Sequence, residues 1–387
     1  MRSKLPDVGT TIFTVMSRRA AELGAVNLGQ GFPDYPIDPL LADLVYQAMR
    51  EGHNQYAPMP GLPTLTEQIA RKLGRCYGIA VDPATEITVT LGATEAIYSA
   101  VQALAGVGDE VIVFDPSYDS YDPAVRLAGA RCVHIPLAPP HFRPDWERVR
   151  AMVNDRTRVL IINSPQNPAC SCLSASDLDE LSSLLRGREC HVIADEVYEH
   201  MVYDGARHAS VLSHAELRAR SVAVYSFGKT LHTTGIRVGY AVAPPALTTE
   251  LRRVHQFNTF TIATSLQQAI AGFLLARPNC GDDLAAFFQR KRDLLSAELA
   301  GSGLAVVRAA GSYFQLVDYG ELAQVSDVAM ADRLLTEAGV ASIPLSAFYR
   351  EPPPGMRLLR LCFAKQDQTL RTAASRLREW AQGLPNR

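Results

Sequence analysis

The sequence predicts an α/β protein with a mostly parallel sheet covered by helices on both faces. Short apolar segments alternate with helical patterns or loops up to about residue 243, and this alternation is typical of parallel sheets. Seven strand candidates lie near residues 87–90, 111–114, 132–135, 159–162, 191–194, 222–226 and 238–243. A chain of 387 residues, 47% hydrophobic and 20% charged, can bury a core of this size. We therefore expect one large domain built on a seven-stranded sheet.

The pattern changes near residue 282, where a long helix is predicted. A hairpin around Gly311, a helix from Ser326, a strand over 356–364 and a final helix from Asp367 follow it. This order predicts a second, smaller α+β domain. The predicted division is 1–37 as an N-terminal segment of the small domain, 38–281 as the large domain and 282–387 as the C-terminal small domain. Because no linker could separate independent modules, the two domains should share one cleft.

Composition excludes several classes of partner. The net charge of −2 argues against binding to nucleic acid or to a membrane surface. The first six residues contain no apolar signal core, and no apolar run approaches the roughly 18 residues that span a bilayer. We therefore expect a cytoplasmic protein.

The seven cysteines are expected to remain reduced thiols, since no secretory signal precedes them. Cys170 and Cys172 form the only close pair, and one intervening residue is not the C-x-x-C spacing of a redox or zinc site. No metal is expected.

Lys229 lies in the run Ser-Phe-Gly-Lys-Thr-Leu-His-Thr-Thr-Gly-Ile-Arg, which begins at Ser226 and ends at Arg237. A lysine that forms a Schiff base with a phosphorylated aldehyde must be held rigidly, with hydroxyl and guanidinium donors nearby. The triplet around Lys229 alone would be a solvated surface turn, and Ala223 stands where a P-loop needs glycine. The whole run resembles the cofactor-lysine signature of the class I pyridoxal-phosphate aminotransferases. This resemblance implies that Lys229 binds the cofactor covalently and that Ser226 and Arg237 hold its phosphate.

The resemblance implies the fold type I of the transferases that depend on pyridoxal 5'-phosphate, with that compound as cofactor. It assigns Asp195 to the pyridinium nitrogen, whose proton makes the ring an electron sink. Tyr198 and Asn167 match the residues that hydrogen-bond the phenolate oxygen of the ring. Tyr118 matches the aromatic residue that stacks on the ring.

Ala93 and Thr94 follow a strand candidate and open a predicted helix, and they match the family's phosphate site at a helix N-terminus. Single residues also have ordinary interpretations: Asp195 as a strand-end cap, Tyr118 as a core aromatic and Asn167 as part of a turn. Their occurrence together, in the expected order, favours the functional interpretation.

Arg360 lies within an apolar strand candidate, where a guanidinium needs an anionic partner. The resemblance assigns it to the α-carboxylate of the substrate. Gly31 would let the backbone approach the same carboxylate closely. Tyr56 matches the tyrosine that reaches the phosphate of the neighbouring subunit, which implies a homodimer with shared active sites.

The expected reaction transfers an amino group from methionine or an aromatic amino acid to a 2-oxo acid by a ping-pong mechanism. Lys229 would act as general base once the amino acid has displaced it. Aspartate-specific relatives place a second arginine near the segment that is 255–264 here, and this segment contains none. Phe13, Phe32, Tyr56 and Phe260 instead match the aromatic lining of the side-chain pocket, which disfavours a carboxylate. Phe260 could also simply pack at the dimer interface.

Motifs near Thr10, Asn27, Asp115 and Arg360 resemble the branch of methionine and kynurenine or glutamine-phenylpyruvate aminotransferases. Gln166 and the Ala-Cys pair ending at Cys170 depart from that pattern and leave the substrate range open. One alternative is a kynurenine/glutamine transaminase with cysteine-conjugate β-lyase activity. A transcriptional regulator with an aminotransferase-like domain is the other, but it needs a DNA-binding module before the motifs that begin near Thr10.

Overall fold

The computed structural model describes residues 3–320 and 322–384. Its strands are β1 (Val26–Asn27), β2 (Ile87–Thr90), β3 (Glu110–Asp115), β4 (Arg131–Pro136), β5 (Thr157–Asn163), β6 (His191–Asp195), β7 (Ser221–Ser226), β8 (Gly239–Val242), β9 (Ala305–Val307), β10 (Phe314–Asp318), β11 (Val340–Ala341), β12 (Ile343–Pro344) and β13 (Leu358–Cys362). Its helices are α1 (Ile12–Glu22), α2 (Pro39–Arg50), α3 (Pro63–Tyr77), α4 (Gly92–Leu104), α5 (Tyr121–Leu127), α6 (Trp146–Met152), α7 (Ala175–Leu185), α8 (Ala215–Arg218), α9 (Phe227–Thr230), α10 (Pro245–Asn258), α11 (Thr264–Ala276), α12 (Leu284–Glu298), α13 (Asp327–Thr336) and α14 (Asp367–Gln382).

The large sheet has seven strands in the order β2-β8-β7-β6-β5-β3-β4. The strands from β7 to β4 pair in parallel, whereas β8 runs antiparallel to both β2 and β7. The predicted mostly parallel, seven-stranded sheet is therefore confirmed. The sequence pattern did not reveal that β8 is reversed, because an apolar strand buried on both faces looks the same in either direction.

Both faces of this sheet are buried. In β3, Val111 and Val113 pack into one apolar cluster, whereas Ile112 and Phe114 pack into another. The same alternation divides the residues of β5 and β7 between the two clusters. Successive side chains of a strand point to opposite faces, so a central strand with helices on both sides must be apolar throughout.

The carboxyl ends of β2, β5, β6 and β7 lie at one edge of the sheet, where ligands bind in such folds. At this edge α4 begins directly after β2 with Gly92, which has a φ of +72°. A Cβ atom on Gly92 would lie 2.7 Å from Nη2 of Arg237. Glycine is therefore required here, because it lets the guanidinium lie against the first turn of α4.

The C-terminal part contains the predicted long helix, hairpin, helix, strand and final helix as α12, β9–β10, α13, β13 and α14. Strands β12, β13, β10 and β9 form an antiparallel sheet. The parallel pair β1–β11 aligns Val26 with Val340 and joins the N-terminal segment to this part. The short strands β1, β11 and β12 were not predicted, since two residues carry no recognisable periodicity. The domain boundaries at 37 and 281 stay a prediction.

All seven cysteines are free thiols. Among the helices of the described ranges, none combines the length and apolar character needed to cross a membrane.

Candidate active site

A cavity of about 370 Å³ opens at the carboxyl edge of the large sheet, a size that suits a small ligand. It brings together residues from both ends of the chain. The predicted site residues that line it are Phe13, Gly31, Ala93, Thr94, Tyr118, Asn167, Asp195, Tyr198, Ser226, Lys229, Arg237 and Arg360.

Lys229 lies on the short helix α9 that follows β7, and its amine opens onto the cavity. Its Nζ donates a hydrogen bond to the hydroxyl of Tyr313 at 3.0 Å. Burial within the protein, together with the nearby Arg237, lowers the pKa of Lys229 to about 8, while Asp195 opposes the shift. Near neutral pH the amine is therefore neutral to a greater extent than that of an ordinary lysine, and the neutral form is the one that a nucleophile or base requires.

Asp195 ends β6 and is 5% exposed. The Tyr121 hydroxyl donates to its Oδ2 at 2.6 Å, and the Val197 amide donates to its Oδ1 at 3.4 Å. Burial raises the pKa of Asp195 to about 6, although both hydrogen bonds and Lys229 favour its charged form. A buried carboxylate at a cavity wall suits a ligand that brings a positive charge or a donor.

One group of residues that line the cavity is suited to bind a phosphate. Ser226 supplies a hydroxyl, Arg237 supplies a guanidinium and Ala93 and Thr94 lie in the first turn of α4. Free N–H groups and the helix dipole favour an anion there. Tyr118 also lines the cavity, and burial raises the pKa of Tyr118 above its usual value.

Arg360, in the middle of β13, also lines the cavity and is only 1% exposed. Its Nη1 donates to Asn167 Oδ1 at 2.6 Å and its Nη2 to Gly29 O at 2.8 Å. The guanidinium carbon lies 3.9 Å from the ring centroid of Phe314. Burial lowers the pKa of Arg360. The Nε atom of Arg360 has no hydrogen-bond partner among the described residues. This buried cation is arranged to receive an anion with matching planar geometry.

Asn163, at the end of β5, joins the two sides of the site. Its Oδ1 accepts from the Asn167 amide at 2.8 Å, and its Nδ2 donates to the carbonyl of Asp195 at 2.8 Å. Gly31 lies nearby, and a Cβ atom there would lie 2.6 Å from Cζ of Phe314. Its carbonyl accepts a hydrogen bond from Tyr313 at 2.6 Å.

Three predicted residues do not line the cavity of this chain. Tyr56 is 84% exposed and Phe260 is 41% exposed, and their ring centroids lie 5.5 Å apart. Phe32 is 38% exposed, and its carbonyl accepts a hydrogen bond from Lys365 at 2.7 Å. Substrate or cofactor contacts by these three residues stay a prediction.

Tyr121, Tyr313 and Phe314 were missed by sequence reasoning. Tyr121 belongs to the motif that begins at Asp115, so its spacing from Tyr118 was a usable signal. Nothing in the local pattern around Tyr313 and Phe314 distinguishes them from core aromatics.

The departures Gln166 and Cys170 are both buried. Gln166 Nε2 donates to Pro116 O at 2.9 Å, and its Oε1 accepts from the Ala169 amide at 3.2 Å. Cys170 has a φ of +62°, and burial raises its pKa to about 12. Both residues shape the turn that carries Asn167, and neither lines the cavity.

In the described ranges, Asp122, Cys132 and His134 place three ligand-type atoms within 4.8 Å of one another. His134 is bonded through Nδ1 to Asp115 at 2.9 Å and through Nε2 to Asp122 at 3.4 Å. Burial opposes the charge of His134, but these hydrogen bonds outweigh it and raise its pKa to about 11. The cluster is therefore accounted for as an ion-pair network around an imidazolium, and the expectation of no metal stays a prediction.

The fold and this cavity define a transaminase. Residues 24–377 match the family model of the class I and II aminotransferases, and the chain belongs to that family. It is 48% identical to the methionine aminotransferase of Escherichia coli over 98% of both chains, whose solved structure superposes with a TM-score of 0.96. The N-succinyldiaminopimelate aminotransferase of Mycobacterium tuberculosis is 38% identical over 97% of both chains, with a TM-score of 0.94. Human kynurenine–oxoglutarate transaminase 1 is 32% identical over 93% of both chains.

Proposed function

We propose that the protein is a pyridoxal-5'-phosphate-dependent aminotransferase that uses methionine and aromatic amino acids as donors to 2-oxo acids. The observation that carries the proposal is the arrangement around Lys229. An amine with a lowered pKa lies between an anion-binding helix end and a buried arginine. This arrangement suits a phosphorylated aldehyde on one side and an amino acid carboxylate on the other.

The residues fit the cofactor at each of its polar groups. Gly92 leaves the space that lets Arg237 lie against the first turn of α4, so a phosphate would contact both. Asp195 would pair with the ring nitrogen, and Tyr121 orients its carboxylate. Tyr198 and Asn167 would bond the ring oxygen. When bound, the cofactor ring withdraws electrons from the substrate's α-carbon and makes its proton acidic.

Proton transfer falls to Lys229. Its amine, neutral in part because of the lowered pKa, would take the α-proton and return it on the cofactor side. Tyr313 holds Nζ at 3.0 Å and thereby limits its motion. Arg360 would bind the α-carboxylate with its guanidinium and fix the α-carbon near the amine.

The donor preference rests on the walls of the cavity and on the relatives. Phe13 and Phe314 provide apolar rings beside Arg360, which favour a thioether or an aromatic ring. Segment 255–264 has no arginine for a side-chain carboxylate. The relative of 48% identity is a methionine aminotransferase. Similarity to kynurenine transaminases favours one alternative, a kynurenine or glutamine transaminase with β-lyase activity on cysteine conjugates.

A homodimer with shared active sites is part of the proposal, as is a cytoplasmic location. Exposed Tyr56 and Phe260 form an aromatic pair that a second subunit would cover. Light scattering should therefore give twice the chain mass of 42.2 kDa.

The test is a half-reaction panel in which each amino acid is mixed with the cofactor-loaded protein and loss of the aldehyde-form absorbance is followed. Methionine and phenylalanine should give a far higher kcat/KM than aspartate. A kcat/KM for aspartate equal to that for methionine would contradict the proposed preference. Pyruvate and thiol released from cysteine conjugates at a comparable rate would favour the β-lyase alternative.

A further inference from the structure

Asp119 lies on the loop between β3 and α5 and borders the active-site cavity. It also borders a second cavity of about 290 Å³, which shares Thr11, Phe13 and Tyr118 with the first. The two cavities therefore adjoin along the wall that these shared residues form, and the space beside Arg360 continues toward the second cavity. A substrate side chain that extended from the first cavity toward the second would approach the wall that Asp119 lines.

The part of the cavity wall that includes Asp119 is partly polar. Thr11, Thr14 and Gln30 line it together with Asp119. The hydroxyls of Thr11 and Thr14 bond each other at 3.1 Å, and Ser17 donates to Gln30 Oε1 at 2.5 Å. These groups are engaged within the protein, which leaves the carboxylate of Asp119 as the strongest acceptor of this wall.

Asp119 is solvent-exposed in this chain and forms no salt bridge within the described ranges. Desolvation by the surrounding protein raises its pKa, whereas Arg360 across the cavity favours its charged form. Charge-assisted hydrogen bonds are roughly twice as strong as neutral ones. The same carboxylate repels another carboxylate brought into this pocket.

A different role for Asp119 would be to balance the charge of Arg360. In that case its loss would affect all substrates equally, because every amino acid presents the same α-carboxylate to Arg360. A role in selecting side chains would instead change the ratio between substrates that differ only at the tip. The two roles are therefore separable by experiment.

We propose that Asp119 determines donor specificity, accepting a hydrogen bond from side chains that end in an N–H group and rejecting side chains that end in a carboxylate. This rests on the proposed function, because Arg360 and Lys229 must fix the α-carbon for the side chain to reach Asp119. Amides, indoles and aromatic amines belong to the favoured class. Thioethers, which neither donate nor carry charge, serve as the neutral reference.

Glutamine and glutamate are the sharpest pair of substrates, since they have nearly the same shape and differ in charge and in N–H donors. In Asp119→Asn, the ratio of kcat/KM for glutamine to that for glutamate should fall by at least about 10-fold. Asp119→Glu keeps the charge and should retain the preference for glutamine. Asp122→Asn is the matched control, since Asp122 lies three residues away, pairs with Arg126 and His134, and lines the second cavity but not the active-site cavity.

Calorimetry with the cofactor-loaded protein gives a second readout that needs no turnover. Glutarate and its monoamide bind through a carboxylate but have no amino group to transfer. Asp119→Asn should remove most of the preference for the monoamide, whereas Asp122→Asn should leave it unchanged.

Equal changes for glutamine, glutamate and methionine would overturn the proposal and indicate charge balance with Arg360. A similar change in Asp122→Asn would overturn it as well. If the unaltered protein transaminated no amino acid, the proposed function would fail, and the calorimetric comparison would still decide the role of Asp119.

Discussion

Replacing Arg360 with lysine tests the carboxylate site most directly. The guanidinium is buried against Phe314, and its two Nη atoms donate to Asn167 and to the carbonyl of Gly29. A lysine keeps the positive charge but presents one nitrogen on a flexible stem. It cannot hold both protein acceptors and a planar carboxylate at once.

The size of the effect follows from the hydrogen bonds that are lost. Loss of one charge-assisted hydrogen bond to the substrate costs about 1.5–3 kcal/mol. Since about 1.36 kcal/mol corresponds to a factor of ten, kcat/KM should fall about 10- to 150-fold. The change should appear mainly in KM and should be similar for methionine, phenylalanine and glutamine, because all three present the same carboxylate.

Steady-state kinetics with these three donors is the assay, and Arg292→Lys is the matched control. Arg292 is the other wholly buried arginine among the described residues, and it donates to both carboxylate oxygens of Asp204 at 2.8 Å. Its replacement should lower the unfolding midpoint and leave KM unchanged. An unaltered KM in Arg360→Lys, or an equal rise in Arg292→Lys, would refute the assignment of Arg360 to the carboxylate.

Three further outcomes are expected. Lys229→Ala should abolish transamination while cofactor still binds through Ser226 and Arg237. Borohydride reduction of this variant should then label no lysine, and a reduced adduct on another lysine would contradict the assignment. Asp195→Asn should lower kcat far more than it raises KM, because the nitrogen of the cofactor ring would lose its partner. Stopped-flow traces in which the chemical step is not slowed would argue against that role of Asp195. His134→Gln should destabilise the protein most at low pH. The pKa of His134 in the folded protein, about 11, exceeds the ordinary 6.5, so the stabilisation by protonated His134 is complete below about pH 6.5 and disappears as pH rises through 11. Urea unfolding at pH 6 and pH 10 checks this, and an equal loss at both values would disprove it.

The large sheet and much of the candidate site could be predicted because the informative residues lie in continuous motifs at strand ends. Asp195 ends β6, and Ser226 ends β7 three residues before Lys229. Parallel strands bring their carboxyl ends to one edge, so motifs far apart in sequence meet without any knowledge of the loops. Their roles were taken from the family resemblance, whereas the geometry gives their positions.

Other parts of the site depend on contacts that no local pattern encodes. Tyr313 bonds Lys229 across a separation of 84 residues, and its own segment reads as an ordinary buried hairpin. The position of Phe314 under Arg360 depends on the register in which Leu316 pairs with Arg360 and Phe314 with Cys362. Such register is set by packing of the whole sheet. The proposed roles of Tyr56 and Phe260 would require a second chain.

Lys72 and Arg292 differ from Arg360 in the partners of their buried charges. Lys72 is buried and bonds Glu199 and Tyr240 within the protein, so its charge is fully compensated there. Arg292 is compensated by Asp204 in the same way. Arg360 is buried but forms no ion pair in residues 3–320 and 322–384, and burial lowers its pKa, while the partly buried Lys229 beside it also has a lowered pKa. A buried cation without an anionic protein partner is costly to folding, so its retention beside an open cavity indicates that a ligand supplies the anion. This contrast, rather than burial or charge alone, supports the proposal that an amino acid binds between Lys229 and Arg360.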